Sequence, residues 1–160
     1  MITRLRAAIL CDDVRTEDNG KNIFVGVYGN QIITGVRPAI IAGFLVLMLD
    51  ADAEENKVDL RVSAITERTQ TLMLKATGGL VTLITPLQIA LVDEKPLRVA
   101  VRNEGSETWL DCGEWQMTFA ENAAEAPPEF AEQIYQWVAT AKEELSQQSV
   151  APNSLAARPL

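Results

Sequence analysis

Acidic side chains gather near the start of the chain, in an arrangement that could hold a hard cation. Asp12 and Asp13 are adjacent, and Glu17 follows four residues after Asp13. Ca²⁺ and Mg²⁺ are bound in proteins mainly by oxygen ligands of this type. Further acids lie where predicted strands end: Asp50, Asp52, Asp93 and Glu94. A cation- or small-ligand-binding site built on Asp12, Asp13 and these acids is therefore one hypothesis.

Two features of the sequence weigh against a metal centre. Asp12 and Asp13 are neighbours on a predicted strand, so their side chains point to opposite faces. The Asp-x-Asp-x-Asp-Gly spacing of a calcium loop is absent from the sequence. We therefore expect Arg15 to pair with Asp13 and Glu17 as a charge ladder on one face, and we expect no metal and no cofactor.

The types of residue in the chain also restrict catalysis. It contains no histidine, which excludes Ser-His-Asp and Cys-His nucleophile pairs and histidine zinc sites. Its two cysteines, Cys11 and Cys112, are too few for an all-cysteine zinc site, and we expect free thiols. The Gly20-Lys21 and Gly78-Gly79 pairs lack the spacing of a phosphate loop. The sequence thus predicts no catalytic residues and a protein that is not an enzyme.

Charge and hydropathy narrow the choice of partner and compartment. The net charge is −8, which disfavours nucleic acid and anionic membrane surfaces as partners. The longest apolar run, residues 38–49, is shorter than the roughly 18 residues of a membrane span. The apolar run at residues 7–11 is shorter than the roughly 7 residues that an export signal needs. We expect a cytoplasmic protein.

Most of the chain alternates apolar and polar residues with period two, which is typical of half-buried strands. Val58, Leu60 and Val62 show this pattern, whereas residues 44–49 are apolar on both faces and predict a central strand. Glycine and proline separate these runs at short intervals. The pattern predicts an antiparallel β-sandwich of about eight or nine strands over residues 1–120.

The first hairpin of this sandwich carries its most distinctive residues. Asn19-Gly20 favours a two-residue type I′ turn, which would place Asp13 opposite Gly26 and leave a notch at that glycine. The polar and aromatic residues of the hairpin form a candidate interaction surface: Asp13, Arg15, Glu17, Lys21 and Tyr28.

Trp109 and Trp115 could form an aromatic platform for sugars or bases. Trp115 alternates in phase with Met117 and Phe119, which favours packing in the core. We expect two strands here, separated by a turn at Cys112-Gly113, with the tryptophans serving mainly as core residues.

The character of the sequence changes after residue 120. Residues 121–127 are rich in Ala, Glu and Pro and predict a linker, and Pro128 suits the first turn of a helix over residues 128–146. A tail without periodicity completes the 121–160 segment. The helix would either cover one end of the sandwich or dock into another subunit. Its candidate docking residues are Phe130, Ile134, Trp137, Val138 and Leu145.

One stretch of sequence is less generic than the rest. Residues 11–29 contain Cys-Asp-Asp-Val-Arg, then Glu, then Gly-Lys, then Gly-Val-Tyr. This stretch resembles an uncharacterised family of small bacterial proteins. The resemblance implies a β-sandwich fold and names no substrate, cofactor or catalytic residue.

These observations favour a non-enzymatic binding or structural module that acts through protein–protein contacts. The expected partner is another protein or a second copy of the chain, in a homo-oligomer or in a larger, phage-related assembly. The alternative is the cation- or small-ligand-binding sandwich that uses Asp12, Asp13 and the strand-end acids.

Overall fold

A computed structural model of the chain describes the backbone of residues 1–150 and the side chains of residues 1–146. The tail predicted beyond the helix lies outside the described residues, except that 147–150 continue the helix. The elements are β1 (Ile2–Thr16), β2 (Asn22–Val27), β3 (Gln31–Arg37), β4 (Ala39–Ala51), β5 (Glu55–Ser63), β6 (Glu67–Lys75), β7 (Leu80–Leu91), β8 (Leu97–Asn103), β9 (Leu110–Glu125) and α1 (Pro128–Val150).

The strands form two packed sheets, which confirms the predicted β-sandwich. The first sheet has the order β2-β1-β4-β7, and the second has the order β3-β9-β8-β5-β6. One strand pair departs from the antiparallel pattern, because β3 runs parallel to β9. The chain crosses from the edge of the first sheet to the edge of the second between β2 and β3, and β3 then runs in the direction of β9.

The core lies between the sheets. Leu45, Leu47 and Leu49 of β4 point inward and are fully buried. Trp115 is in the same cluster at 6% exposure, as its alternation predicted. Val46 points out of the opposite side of β4 and is also fully buried. β4 is a central strand of its sheet, as predicted, but on its outer side Phe44 and Met48 are only half-buried.

Two of the predicted boundaries in the last strand are wrong. The linker expected at residues 121–127 is mostly strand, because β9 continues to Glu125 and pairs there with Arg37, beyond an irregularity in which β9 has extra residues between Phe119 and Ala124. The turn expected at Cys112-Gly113 is instead a bulge inside β9, opposite Val99 and Ala100. In both places pairing with a distant strand satisfies the backbone, which local composition does not reveal.

The helix packs against its own sandwich. Ile134 is 1% exposed and Val138 is buried, and both form a cluster with Ala90 of β7 and Ile65 of the β5–β6 connection. The helix therefore joins the two sheets at one lateral opening. These two candidate docking residues are already buried within the chain, so they are not free to contact a partner in this conformation. Of the other three, Trp137 and Leu145 are half-buried, and Phe130 is exposed.

Candidate protein interface

The first hairpin closes with a longer loop than its sequence predicted. Glu17 N donates to Lys21 O at 2.8 Å, and Gly20 N donates to Glu17 O at 2.8 Å. Gly20 has a φ of 81°, and no residue other than glycine has a positive φ in the described chain. A type I′ turn requires positive φ at both central residues, whereas a three-residue loop with a glycine bulge requires it only at the glycine. Asn19 thereby avoids the left-handed conformation.

This loop shifts the strand register by one residue. Asp13 lies opposite Val25, and the flanking pair Cys11–Val27 places Asp12 opposite Gly26. The predicted pairing of Asp13 with Gly26 is therefore wrong. The notch expected at Gly26 is filled, because a Cβ atom added there would lie 2.0 Å from Asp12 Oδ2.

Asp12 and Tyr28 form a hydrogen-bonded pair on the inward side of the hairpin. Tyr28 Oη donates to Asp12 Oδ1 at 2.5 Å, and the half-buried ring packs against the main core. The hydrogen bond to the carboxylate, with burial, raises the pKa of Tyr28 to about 12. Tyr28 therefore lies on the opposite face from Asp13 and Arg15, which divides the predicted interaction surface.

The Tyr28–Asp12 bond predicts a pH dependence of stability. Because the folded-state pKa of about 12 exceeds the ordinary 10.0, the folded protein holds the phenol proton more tightly than the unfolded chain. Its contribution is complete below pH 10.0 and is lost as the pH rises through about 12. The chain has two tyrosines, so Tyr135→Phe allows Tyr28 to be titrated alone by tyrosinate absorbance. Adding Asp12→Asn should move the midpoint down, and an unchanged midpoint would contradict the assignment.

The outward residues of the hairpin form one ion pair and not a ladder. Arg15 Nε donates to Asp13 Oδ2 at 3.1 Å, whereas Glu17 accepts from Asn19 Nδ2 at 3.0 Å. Lys21 is exposed beside Glu17 at the hairpin tip. An exposed ion pair contributes only about 0–1 kcal/mol to stability. These charges therefore do little for the fold and mark one end of the outer surface of the first sheet.

That outer surface carries apolar residues on all four strands and one exposed polar residue, Thr82 of β7. Leu45, Leu47 and Leu49 of β4 point inward. The residues that alternate with them along β4 therefore point outward, and so do the residues of β1 and β7 that pair with those outward residues. Val27 is 57% exposed, Ile23 45% and Val25 38%. We call the following residues the first-sheet face: Ala7, Ile9, Cys11, Ile23, Val25, Val27, Phe44, Val46, Met48, Ile84 and Pro86.

The outer surface of the second sheet carries buried and stacked charges. Asp59 is 8% exposed and accepts hydrogen bonds from Thr71 Oγ1 at 2.8 Å and Arg102 Nε at 2.9 Å, which lower its pKa. The guanidinium carbons of Arg61 and Arg102 lie 4.2 and 4.5 Å from the centre of the Trp109 ring. Trp109 is thus engaged by two cations and is not an open platform. The second sheet therefore has more charge on its outside than the first, although Met73 and Ile33 are exposed there at 60% and 59%.

Sequence reasoning missed the β2 residues of the first-sheet face. The available signal was that Ile23, Val25 and Val27 alternate with Phe24 and Tyr28, so that both faces of β2 are apolar. The expected alternation of a solvated edge strand is broken there.

Three of the four strand-end acids have side-chain partners in the described part of the chain. Asp50 accepts from Arg4 Nε at 2.9 Å and also pairs with Arg6, and Asp52 pairs with the terminal ammonium of Met1. Glu94 accepts from the backbone N–H of Phe119. Within the part of the chain that the structure describes, no three acidic or cysteine side chains are placed to share a metal ion. The structure therefore adds no observation in favour of the cation site.

Both cysteine thiols are buried in the folded chain. Cys11 and Cys112 are buried and are not joined to each other. Burial is the largest cause that raises the pKa of each thiol, that of Cys112 to about 12. Neither thiol is therefore poised to act as a nucleophile.

A cavity lies at the lateral opening that the helix spans. Its volume is about 250 Å³, and it is lined by Leu60 and Val62 of β5, by residues 85–90 of β7 and by Trp137 and Val138 of α1. Arg68 of β6 is the one charged residue in its lining. This cavity is smaller than the roughly 300–1,000 Å³ typical of ligand pockets.

No protein-family model matches the chain, and no curated protein matches it either. The resemblance of residues 11–29 to an uncharacterised bacterial family stays a prediction. In the described range 1–150, no helix is both long and apolar enough to cross a membrane.

Proposed function

We propose that the protein is a non-enzymatic binding or structural module that acts through protein–protein contacts made by the first-sheet face. The observation that carries the proposal is the set of exposed apolar side chains on the outside of one sheet, Ile23, Val25 and Val27 of β2 and Ile84 of β7. Cys11 and Val46, which lie between them, are fully buried. One row of this face, Val27-Cys11-Phe44-Pro86, crosses all four strands. From Cys11, β1 pairs with β2 toward the hairpin and with β4 in the other direction. The largest apolar patches on monomeric proteins are about 300–600 Å² and often bind partners.

The edge of the face also supports a role in binding. β2 is an edge strand, and edge strands are normally protected by lysine, proline or inward-pointing charges. The sequence of β2 from Ile23 to Val27 contains none of these. Ile23, Val25 and Val27 therefore remain open to a partner, at a cost in solubility that a binding role explains.

The compartment and the wider assembly belong to the same proposal. Two buried, unlinked thiols are consistent with the reducing cytoplasm. A homo-oligomeric component of a larger, phage-related assembly is the most specific form of the function that we propose, and its support comes from the sequence alone. The arrangement of the acids adds no support for the cation- or small-ligand-binding alternative.

The proposal predicts that a charge on the first-sheet face removes the protein from its complexes. Val27→Glu places a carboxylate at an exposed position on the face, and Met73→Glu does the same at a 60% exposed position on the second sheet. Both proteins would be purified mildly from the native host, and the masses of their intact complexes compared with wild type. We expect Val27→Glu alone to lose the complex. Equal masses for all three proteins would contradict the proposal.

A further inference from the structure

We infer that the partner of the first-sheet face is a second copy of the chain, packed face to face with its strands antiparallel to those of the first copy. This inference rests on the proposed function and names the partner. Its basis is the distribution of charge at the two ends of the face.

The two ends carry opposite net charge. At one end, Arg4 and Arg6 both pair with Asp50, so two basic residues stand against one acid and leave a net charge of +1. At the other end is the hairpin, residues 13–21, whose three acids stand against two bases and leave a net charge of −1. Its charged residues are Asp13, Arg15, Glu17, Asp18 and Lys21.

These ends flank an uncharged centre. Ala7, Ile9 and Cys11 lie between them on β1, and Arg6 and Asp13 are roughly 23 Å apart at about 3.3 Å per residue. The midpoint of this span lies at Ile9–Leu10, on one of the two central strands of the sheet. A symmetry axis near that midpoint would place each charged end at an equal distance from the centre.

A twofold axis that brings this face against a copy of itself lies in the plane of the face, and its two limiting orientations run along the strands and across them. An axis parallel to the strands places like ends together, so that the Arg4–Arg6 clusters oppose each other. An axis in the plane of the face but across the strands places each arginine end on the hairpin end of the other copy. Since like charges in contact disfavour the first arrangement, charge complementarity selects the second.

The size of the face sets the expected affinity. Since the face crosses all four strands in one row only, two copies bury an area below about 1,200 Å², which is the range of weak and transient interfaces. We therefore expect a dimer that dissociates in the micromolar range, and sedimentation at several protein concentrations should show both species.

The inference is tested by reversing the charge of each end separately. R4E/R6E/D50K inverts one end, and D13K/R15E/E17K inverts the other, while each set preserves the pattern of opposite charges within its own cluster. In the dimer, the arginine end of each copy meets the hairpin end of the other copy at two contacts. A dimer of either variant alone has like charges at both of these contacts. Mixed together, the two variants restore opposite charges at both contacts of a heterodimer.

Sedimentation equilibrium at low ionic strength measures the outcome. We expect the dissociation constant of each variant alone to rise about tenfold or more, and that of the equimolar mixture to return to the wild-type value. Thermal unfolding of each variant checks that the sandwich is intact. If mixing does not restore the dimer, or if either variant dimerises like wild type, the inference is overturned. A monomeric wild type that still loses a host complex on Val27→Glu would overturn it and leave the proposed function standing.

Discussion

Replacing Gly26 with alanine is expected to lower the free energy of unfolding by about 3 kcal/mol. Gly26 has a φ of 64°, a conformation that costs an ordinary residue roughly 1–2 kcal/mol. The added Cβ would also lie 2.0 Å from Asp12 Oδ2 and displace that carboxylate from Tyr28. A hydrogen bond to a charged group contributes about 1.5–3 kcal/mol, so the two effects together give the stated loss.

A second glycine provides the control. Gly20 also has a positive φ, at 81°, but an added Cβ there meets no atom within 4 Å. Gly20→Ala should therefore show only the backbone cost, measured by urea unfolding beside Gly26→Ala. Combining Gly26→Ala with Asp12→Ala should reduce the loss caused by the glycine substitution. Equal losses at the two glycines would show that the contact with Asp12 is unimportant.

Ile134→Ala is expected to destabilise the protein by about 2–5 kcal/mol, the usual range for a buried isoleucine. Ile134 is 1% exposed and anchors α1 to Ala90 and Ile65. The neighbouring Tyr135 is 52% exposed, so Tyr135→Ala should change stability by less than about 0.5 kcal/mol. Hydrogen exchange along α1, together with urea unfolding, would show whether the helix alone loosens or the whole domain does. Indistinguishable results for the two variants would contradict docking of the helix on its own sandwich.

The sequence predicted those parts of the fold that local patterns determine. The alternation of apolar and polar residues over 58–62 correctly predicted a strand, and Pro128 correctly predicted the first residue of the helix. Both signals are local, because the period of a strand and the start of a helix depend on neighbouring residues. The pairing of β3 with the end of β9 joins segments about 90 residues apart, and no local pattern encodes it. The hairpin register was predicted wrongly because Asn19-Gly20 is compatible both with a type I′ turn and with a glycine bulge.

The candidate site was only partly predictable for a related reason. Asp13 and Arg15 stood out in the sequence because charged residues are conspicuous, and they proved to be the border of the site. Its apolar interior could not be assigned to the outside of a sheet until the strand order was known, because an apolar strand such as residues 44–49 is equally expected in a fully covered position. Which neighbours cover a strand is a property of the topology.

The contact between Asp12 and Gly26 has an evolutionary consequence. A side chain at position 26 and a carboxylate at position 12 exclude each other, so substitutions at these two positions should be coupled in any lineage that keeps this hairpin. A residue larger than glycine at 26 should appear only together with a smaller residue at 12, and tyrosine at 28 then loses its acceptor. The pattern Cys-Asp-Asp-Val-Arg with Gly-Val-Tyr would in that case be inherited as a packing rule, and finding it in another chain would identify a hairpin and not an activity.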